Sequence, residues 1–147
     1  MEAMEYIENR TYDEIQVGDS ATLVRTLKPQ DIQLFAIMSG DVNPAHVDPE
    51  YAKSSMFQEV IAHGMWGGAL ISTVLGTQFP GPGTLYIDQT LPFSRPVGLG
   101  DTITVTLTAT RTFDHNHPIL FDCVCTNHAG QQVHGATAHV TASDEKE

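Results

Sequence analysis

The chain has 147 residues, with 7 Lys plus Arg against 18 Asp plus Glu and a formal charge of -11. That length favours one domain able to bury a real core. The charge excludes a general nucleic-acid or anionic-membrane binder, since either needs a basic surface.

In chain order, residues 1–11 read as a loosely held, acidic lead-in without an apolar signal core, which points to a reducing cytoplasm. Gly18-Asp19 marks a turn, and residues 21–27 then read as a short strand. Ala21, Leu23 and Leu27 share one face of it, with Arg25 the exception, and Thr22, Val24 and Thr26 line the other. Pro29 is placed to open a helix, with Asp31 in its first turn and Gly40 at its end. Ile32, Leu34, Phe35 and Met38 give that helix an apolar face. Residues 41–49 form a loop rich in turn formers, and residues 49–53 make one short helical turn.

Residues 60–87 contain no Asp, Glu, Lys or Arg. From about Gly64 to Phe79 they read as one helix, apolar nearly all round, so burial on every side is expected. Gly64, Gly67, Gly68 and Gly76 interrupt the run and Pro80-Gly81-Pro82-Gly83 stops it. A membrane span, which needs ~20 unbroken apolar residues, is therefore rejected. The glycines suit close contact with a sheet.

Four β-rich stretches follow, at 84–97, 102–113, 119–127 and 132–141. Ile103, Val105 and Leu107 alternate with threonines, as a half-buried strand should. Residues 114–118 and 128–130 connect the later strands as hairpins, and Pro92 and Pro96 bend the first. Cys123 and Cys125 share one face of a strand, a spacing that suits buried free thiols rather than a disulfide or a zinc site. His115 and His117 straddle a hairpin tip without further ligands for a metal. Residues 143–147 form a charged tail expected to fray. The order is α+β, packed most economically as a curved antiparallel sheet around one apolar helix.

Chemistry concentrates in the loop Ser39-Gly40-Asp41-Val42-Asn43-Pro44-Ala45-His46-Val47-Asp48. Pro44 biases Asn43 towards an extended conformation, and Asn43 can bond its own backbone and hold the turn. Asp41 and His46 could then aim at one water and move protons near neutral pH. An Asx-turn carrying an incidental surface histidine satisfies the same spacing. Gly64 opens the apolar helix, where unpaired N–H groups and the absent side chain make a candidate oxyanion site. Close packing of the helix on the sheet would require the same glycine. An apolar tail could lie along Trp66, Leu70, Ser72 and Leu75.

Residues 39–49 followed by Ile61-Ala62-His63-Gly64-Met65 resemble the MaoC-like (R)-specific enoyl-CoA hydratases, the hydratase 2 group. Residues 12–19 and 91–101 resemble other parts of that family, so the likeness runs from about Tyr12 to Thr141. Ala45 stands where many members carry Leu, which bears on pocket shape rather than chemistry. The resemblance implies a single hot-dog domain over residues 1–147, a curved sheet wrapped around one long central helix. It also admits a chain forming the N-terminal domain of a longer fusion protein. It implies reversible hydration of trans-2-enoyl-CoA to (R)-3-hydroxyacyl-CoA. Asp41 and His46 would be the catalytic pair, the Gly64 N–H would bond the thioester oxygen, and Asn43 would support the loop. His63, Trp66, Ser72, Leu75 and Arg95 are candidate substrate contacts, and Arg111 and Lys53 further candidates for CoA phosphates. No metal or organic cofactor is implied, and a homodimer or an assembly of dimers is. The competing readings are a hot-dog acyl-CoA thioesterase and a non-catalytic acyl-CoA-binding module.

Overall fold

Period-two alternation of buried apolar residues with less buried ones builds the long strands of the sheet, with threonine as the partner in Thr102–Thr112. In the computed structural model, which describes residues 7–146, five antiparallel strands run in the order β1-β3-β4-β5-β2. They are β1 (Ser20–Thr26), β2 (Leu85–Thr90), β3 (Thr102–Thr112), β4 (Pro118–Thr126) and β5 (Gln132–Thr141). Period-two pleating sends Ile103, Val105, Leu107 and Ala109 of β3 inward, with Ile119, Phe121, Cys123 and Cys125 of β4. The same phase on β5 buries Ala136, Ala138 and Val140.

The described residues also form a 3-10 turn at Tyr12–Glu14 and four α-helices, α1 (Pro29–Ser39), α2 (Pro44–Val47), α3 (Pro49–Ser54) and α4 (Met65–Thr77). Pro29 occupies the first turn of α1, the Asp31 carboxylate accepts the Lys28 N–H, and Gly40 ends the helix in the left-handed region at φ 80°. α4 packs Trp66, Leu70, Ile71, Val74 and Leu75 onto the sheet.

Several sequence expectations change here. α4 is not covered all round: Met65, Ala69, Ser72 and Gly76 form an exposed stripe. Their spacing of four, three and four keeps them on one side. On α1 the buried residues are Ile32 and Ala36, whereas Leu34 is 65% and Met38 72% exposed. That helix touches the core along one narrow line, so apolar residues off the line stay in solvent. The first β-rich stretch is a strand only to Thr90; residues 91–97 run on without regular pairing, consistent with Pro92 and Pro96.

The expected loose ends are clasped together where the structure describes them. Tyr12 donates its N–H to the Ser143 carbonyl, Asn9 its side-chain amide to Glu145, and Lys146 its ammonium to the Asn9 carbonyl and Glu14. The lead-in residues 1–6 and Glu147 lie outside the described residues.

Candidate active site

The loop after α1 is built by its own side chains. The Asp41 N–H donates to Ser39 Oγ at 3.1 Å, and Asp41 Oδ1 accepts the Asn43 N–H at 3.2 Å. Asn43 then caps α2 by accepting the Ala45 N–H at 3.0 Å, as expected of a side chain that bonds its own turn. Pro44 supplies the first helical residue, so residues taken from the sequence as loop make one turn of helix carrying His46. Asp48 caps α3 in the same manner.

This loop is tied to the segment entering α4. Ile61 donates its N–H to the Ala45 carbonyl at 3.3 Å. In return, His46 Nδ1 donates to the Ile61 carbonyl at 2.9 Å. A carbonyl only accepts, so Nδ1 carries a proton, and in the neutral ring the lone pair is therefore on Nε2. His63 Nε2 likewise donates to the Asp41 carbonyl at 2.9 Å. Its ring stacks on His46 at 4.2 Å on one side and on Phe35 at 4.7 Å on the other. His63 is 3% exposed, and its buried Nδ1 meets no partner among the described residues.

Asp41, His46 and His63 each offer a ligand-capable atom within 4.8 Å of the other two. Two hydrogen bonds of about 2.8 Å meeting at a water's tetrahedral angle span about 4.6 Å, so a water fits between acid and imidazole. The same three residues are the set that could hold a metal. Their imidazole planes lie only 26° apart in a stack, however, so an ion between them would sit well off both ring planes, a poor match to tetrahedral ligation.

Gly64 is the N-cap of α4 and is exposed. Among the described residues no acceptor takes its N–H, and a Cβ there would press within 3.0 Å of the Phe93 ring. His46, His63 and Gly64 line one cavity of about 300 Å³, together with Trp66, Gly67 and Arg95. Asp41 is not in the lining but is tied to it, its carbonyl accepting from His63. Lys53 instead pairs with Glu50, and Arg111 lies over Phe113, so of the three cation candidates Arg95 is the one at the cavity. Ala45 is not in the lining.

Ser72 and Leu75 do not join this site. Ser72 is exposed and hydrogen-bonds Tyr86, while Leu75 is 1% exposed in the core. Spacing of i, i+3 places side chains on neighbouring faces about 60° apart, and here the core boundary falls between them. Phe57, Phe93 and His134 do line the cavity and were not singled out from sequence. For His134 a signal existed: it is in phase with Ala136, Ala138 and Val140. A register shift opposite Cys125 and Thr126 then lets Val133 be buried beside it. The cysteines are free and buried as expected, and burial pushes the thiols up, Cys123 to about 12 and Cys125 to about 11.

A family model described as MaoC like domain matches residues 14–121. An (R)-specific enoyl-CoA hydratase of Rhodospirillum rubrum is 45% identical over 115 residues, covering 78% of this chain and 80% of its own. Among solved structures, the unliganded R-hydratase PhaJ1 from Pseudomonas aeruginosa superposes with TM-score 0.92 at 43% identity, covering 96% of this chain and 90% of that one. The (R)-hydratase from A. caviae involved in PHA biosynthesis gives 0.84 at 31%, covering 87% and 97%. The sheet wrapped on α4 is therefore the hot-dog fold, and with a match over residues 14–121 the chain belongs to the MaoC-like domain family.

Proposed function

We infer that this chain is an (R)-specific enoyl-CoA hydratase, a hydro-lyase that adds water reversibly to trans-2-enoyl-CoA. The observation that carries the reading is the convergence of Asp41 and a lone-pair-bearing His46 beside the free Gly64 N–H. The named activity of relatives at 45% and 43% identity supports it.

In the proposed mechanism one water bridges Asp41 and His46. His46 Nε2 withdraws a proton as the water oxygen adds to Cβ. Negative charge moves onto the thioester oxygen, where the Gly64 N–H and the positive end of α4 stabilise the enolate. The proton taken by His46 passes to Asp41, which delivers it to Cα, so the proton that leaves the water is the one that reaches carbon and both side chains return to their starting state. The addition is redox-neutral and calls for no metal or organic cofactor. Arg95 at the cavity mouth is the candidate partner for CoA phosphate.

A second copy is proposed to cover the apolar surface left by α4 and β2. β2 is an edge strand whose Leu85, Tyr86 and Ile87 are all substantially exposed, and the stripe on α4 is exposed as well. Such an edge invites pairing. No described helix is long and apolar enough to cross a membrane, and a cytoplasmic site of action is proposed.

Mixing the protein with trans-2-butenoyl-CoA tests the activity. Loss of the conjugated absorbance without release of free thiol is expected. Thiol release would favour the thioesterase reading, and binding without either signal a non-catalytic module.

A further inference from the structure

The space beside Gly64 that a side chain would fill is already occupied. A Cβ there would meet Cε1, Cδ1 and Cζ of Phe93 at 3.0, 3.3 and 3.6 Å. Three neighbouring ring atoms at similar range mean that the ring lies across Gly64 rather than pointing one hydrogen at it. Glycine at 64 thus makes room for Phe93. A Cβ stands about 2.5 Å from the nitrogen of its own residue. Phe93 Cε1 therefore lies within about 5.5 Å of the Gly64 nitrogen, whose N–H is the donor assigned to the thioester oxygen.

Core packing does not account for this placement. Phe93 is 58% exposed, in a cavity lining it shares with exposed Ser94 and Arg95. Residues 91–97 carry no regular strand pairing, yet Phe93 is held. Ser94 donates its N–H to the Val133 carbonyl at 3.0 Å, which pins the segment to β5. His134, 3% exposed, donates from Nδ1 to the Pro92 carbonyl at 3.1 Å and meets the Phe93 ring edge-on at 5.3 Å. Gly64 itself is exposed. A hydrogen bond made in water only exchanges partners and gains little, whereas the same bond away from water gains far more. A single N–H can stabilise an enolate strongly only where water is kept from it. We propose that Phe93 is a positioning residue for hydration: its ring roofs the Gly64 N–H and, with the thioester bound, keeps water from that donor while charge builds on the thioester oxygen. The proposal rests on the hydratase reading.

Two measurements test it on the wild type, Phe93→Leu, Phe93→Ala and Phe93→Asn, with urea midpoints confirming that each is folded. The first is kcat and KM for trans-2-butenoyl-CoA. Phe93→Ala is expected to lose about tenfold in kcat, less than the roughly 10²–10³-fold that follows outright loss of an oxyanion donor. Its KM should change by less than about threefold. Phe93→Leu should recover most of the loss, because an apolar side chain still covers the glycine. Phe93→Asn should fall at least as far as Phe93→Ala, because it brings polar atoms and water to the donor. The second measurement reads anion stabilisation without turnover. Acetoacetyl-CoA ionises to an enolate with its own ultraviolet absorbance, and the ratio of bound enolate to bound ketone at fixed pH should fall about tenfold in Phe93→Ala and little in Phe93→Leu. An unchanged kcat in Phe93→Ala, equal losses in Phe93→Ala and Phe93→Leu, a loss confined to KM, or an unmoved enolate ratio each overturns the proposal while leaving the hydratase reading intact. A wild type that hydrates no enoyl-CoA defeats that reading, and the proposal with it.

Discussion

At Ile61 the backbone carbonyl accepts the Nδ1–H of His46, which turns Nε2 to the role of base proposed for it. His46→Gln and Asp41→Asn each keep a polar group of similar size and remove the proton chemistry. Turnover of an enoyl-CoA is expected to fall by about 10²–10⁴-fold in each, with the urea midpoint little changed, since Asp41 is exposed and His46 is half-buried on α2, outside the core. His63 acts on these two through position: it holds the Asp41 carbonyl and supports the His46 ring. In His63→Ala, kcat should drop by about tenfold with little change in KM, because the pair loses its alignment while the cavity still binds. His63→Gln should recover part of that loss, since an amide can still donate to the Asp41 carbonyl. An equal loss in both variants would show that the donor does not matter. The proximity of Asp41 and His46 was an expectation from residues 39–48, where Asn43 and Pro44 shape the turn, although that spacing alone suited an incidental surface histidine as well. His134 was not expected at the cavity, because a histidine in an alternating strand reads as solvent-facing until the neighbouring alanines are counted with the core.

Among the elements, α2 depends most plainly on one side chain. Asn43→Ala removes the cap on Ala45 N–H and should cost about 1 kcal/mol in urea unfolding, with kcat lowered because His46 rides on that turn. The strands β3, β4 and β5 could be read from sequence as β-rich stretches, and in β3 the alternation of apolar residues with threonine fixes which face is buried. Their thiols give a pH test. Cys123 and Cys125 have folded pKa values raised to about 12 and 11 from 9.0. Below pH 9 both states keep the thiol protons. Above it the unfolded chain ionises while the folded chain holds its protons, so U binds fewer and stability falls as pH rises through that window. Slow labelling of the native protein by a thiol reagent at pH 8, becoming fast in denaturant, is the expected companion result. α4 was legible as a helix but not in its exposure. An apolar sequence requires a cover without saying which surface supplies it, and within one chain the sheet covers only one side.

For the whole molecule, that uncovered side is the basis for the proposed assembly. Ile87 is 53% exposed on the edge strand, in the β-bulge between Tyr86 and Asp88. A charge there would oppose burial against a second copy. Ile87→Lys is expected to shift the protein from dimer to monomer in sedimentation, and an unchanged mass would place the interface elsewhere. The clasp between residues 9–14 and 143–146 was invisible in the sequence, because its bonds join the two ends of the chain and use mostly backbone carbonyls. The hydration chemistry brings these scales together: one loop, one helix end and one sheet must meet around a water. It is tested most directly by the rate at which wild type and Asp41→Asn consume the conjugated absorbance of trans-2-butenoyl-CoA. Rapid loss with the wild type and loss slowed by at least about 10²-fold with the variant are expected; equal rates in the two folded proteins would contradict the assignment.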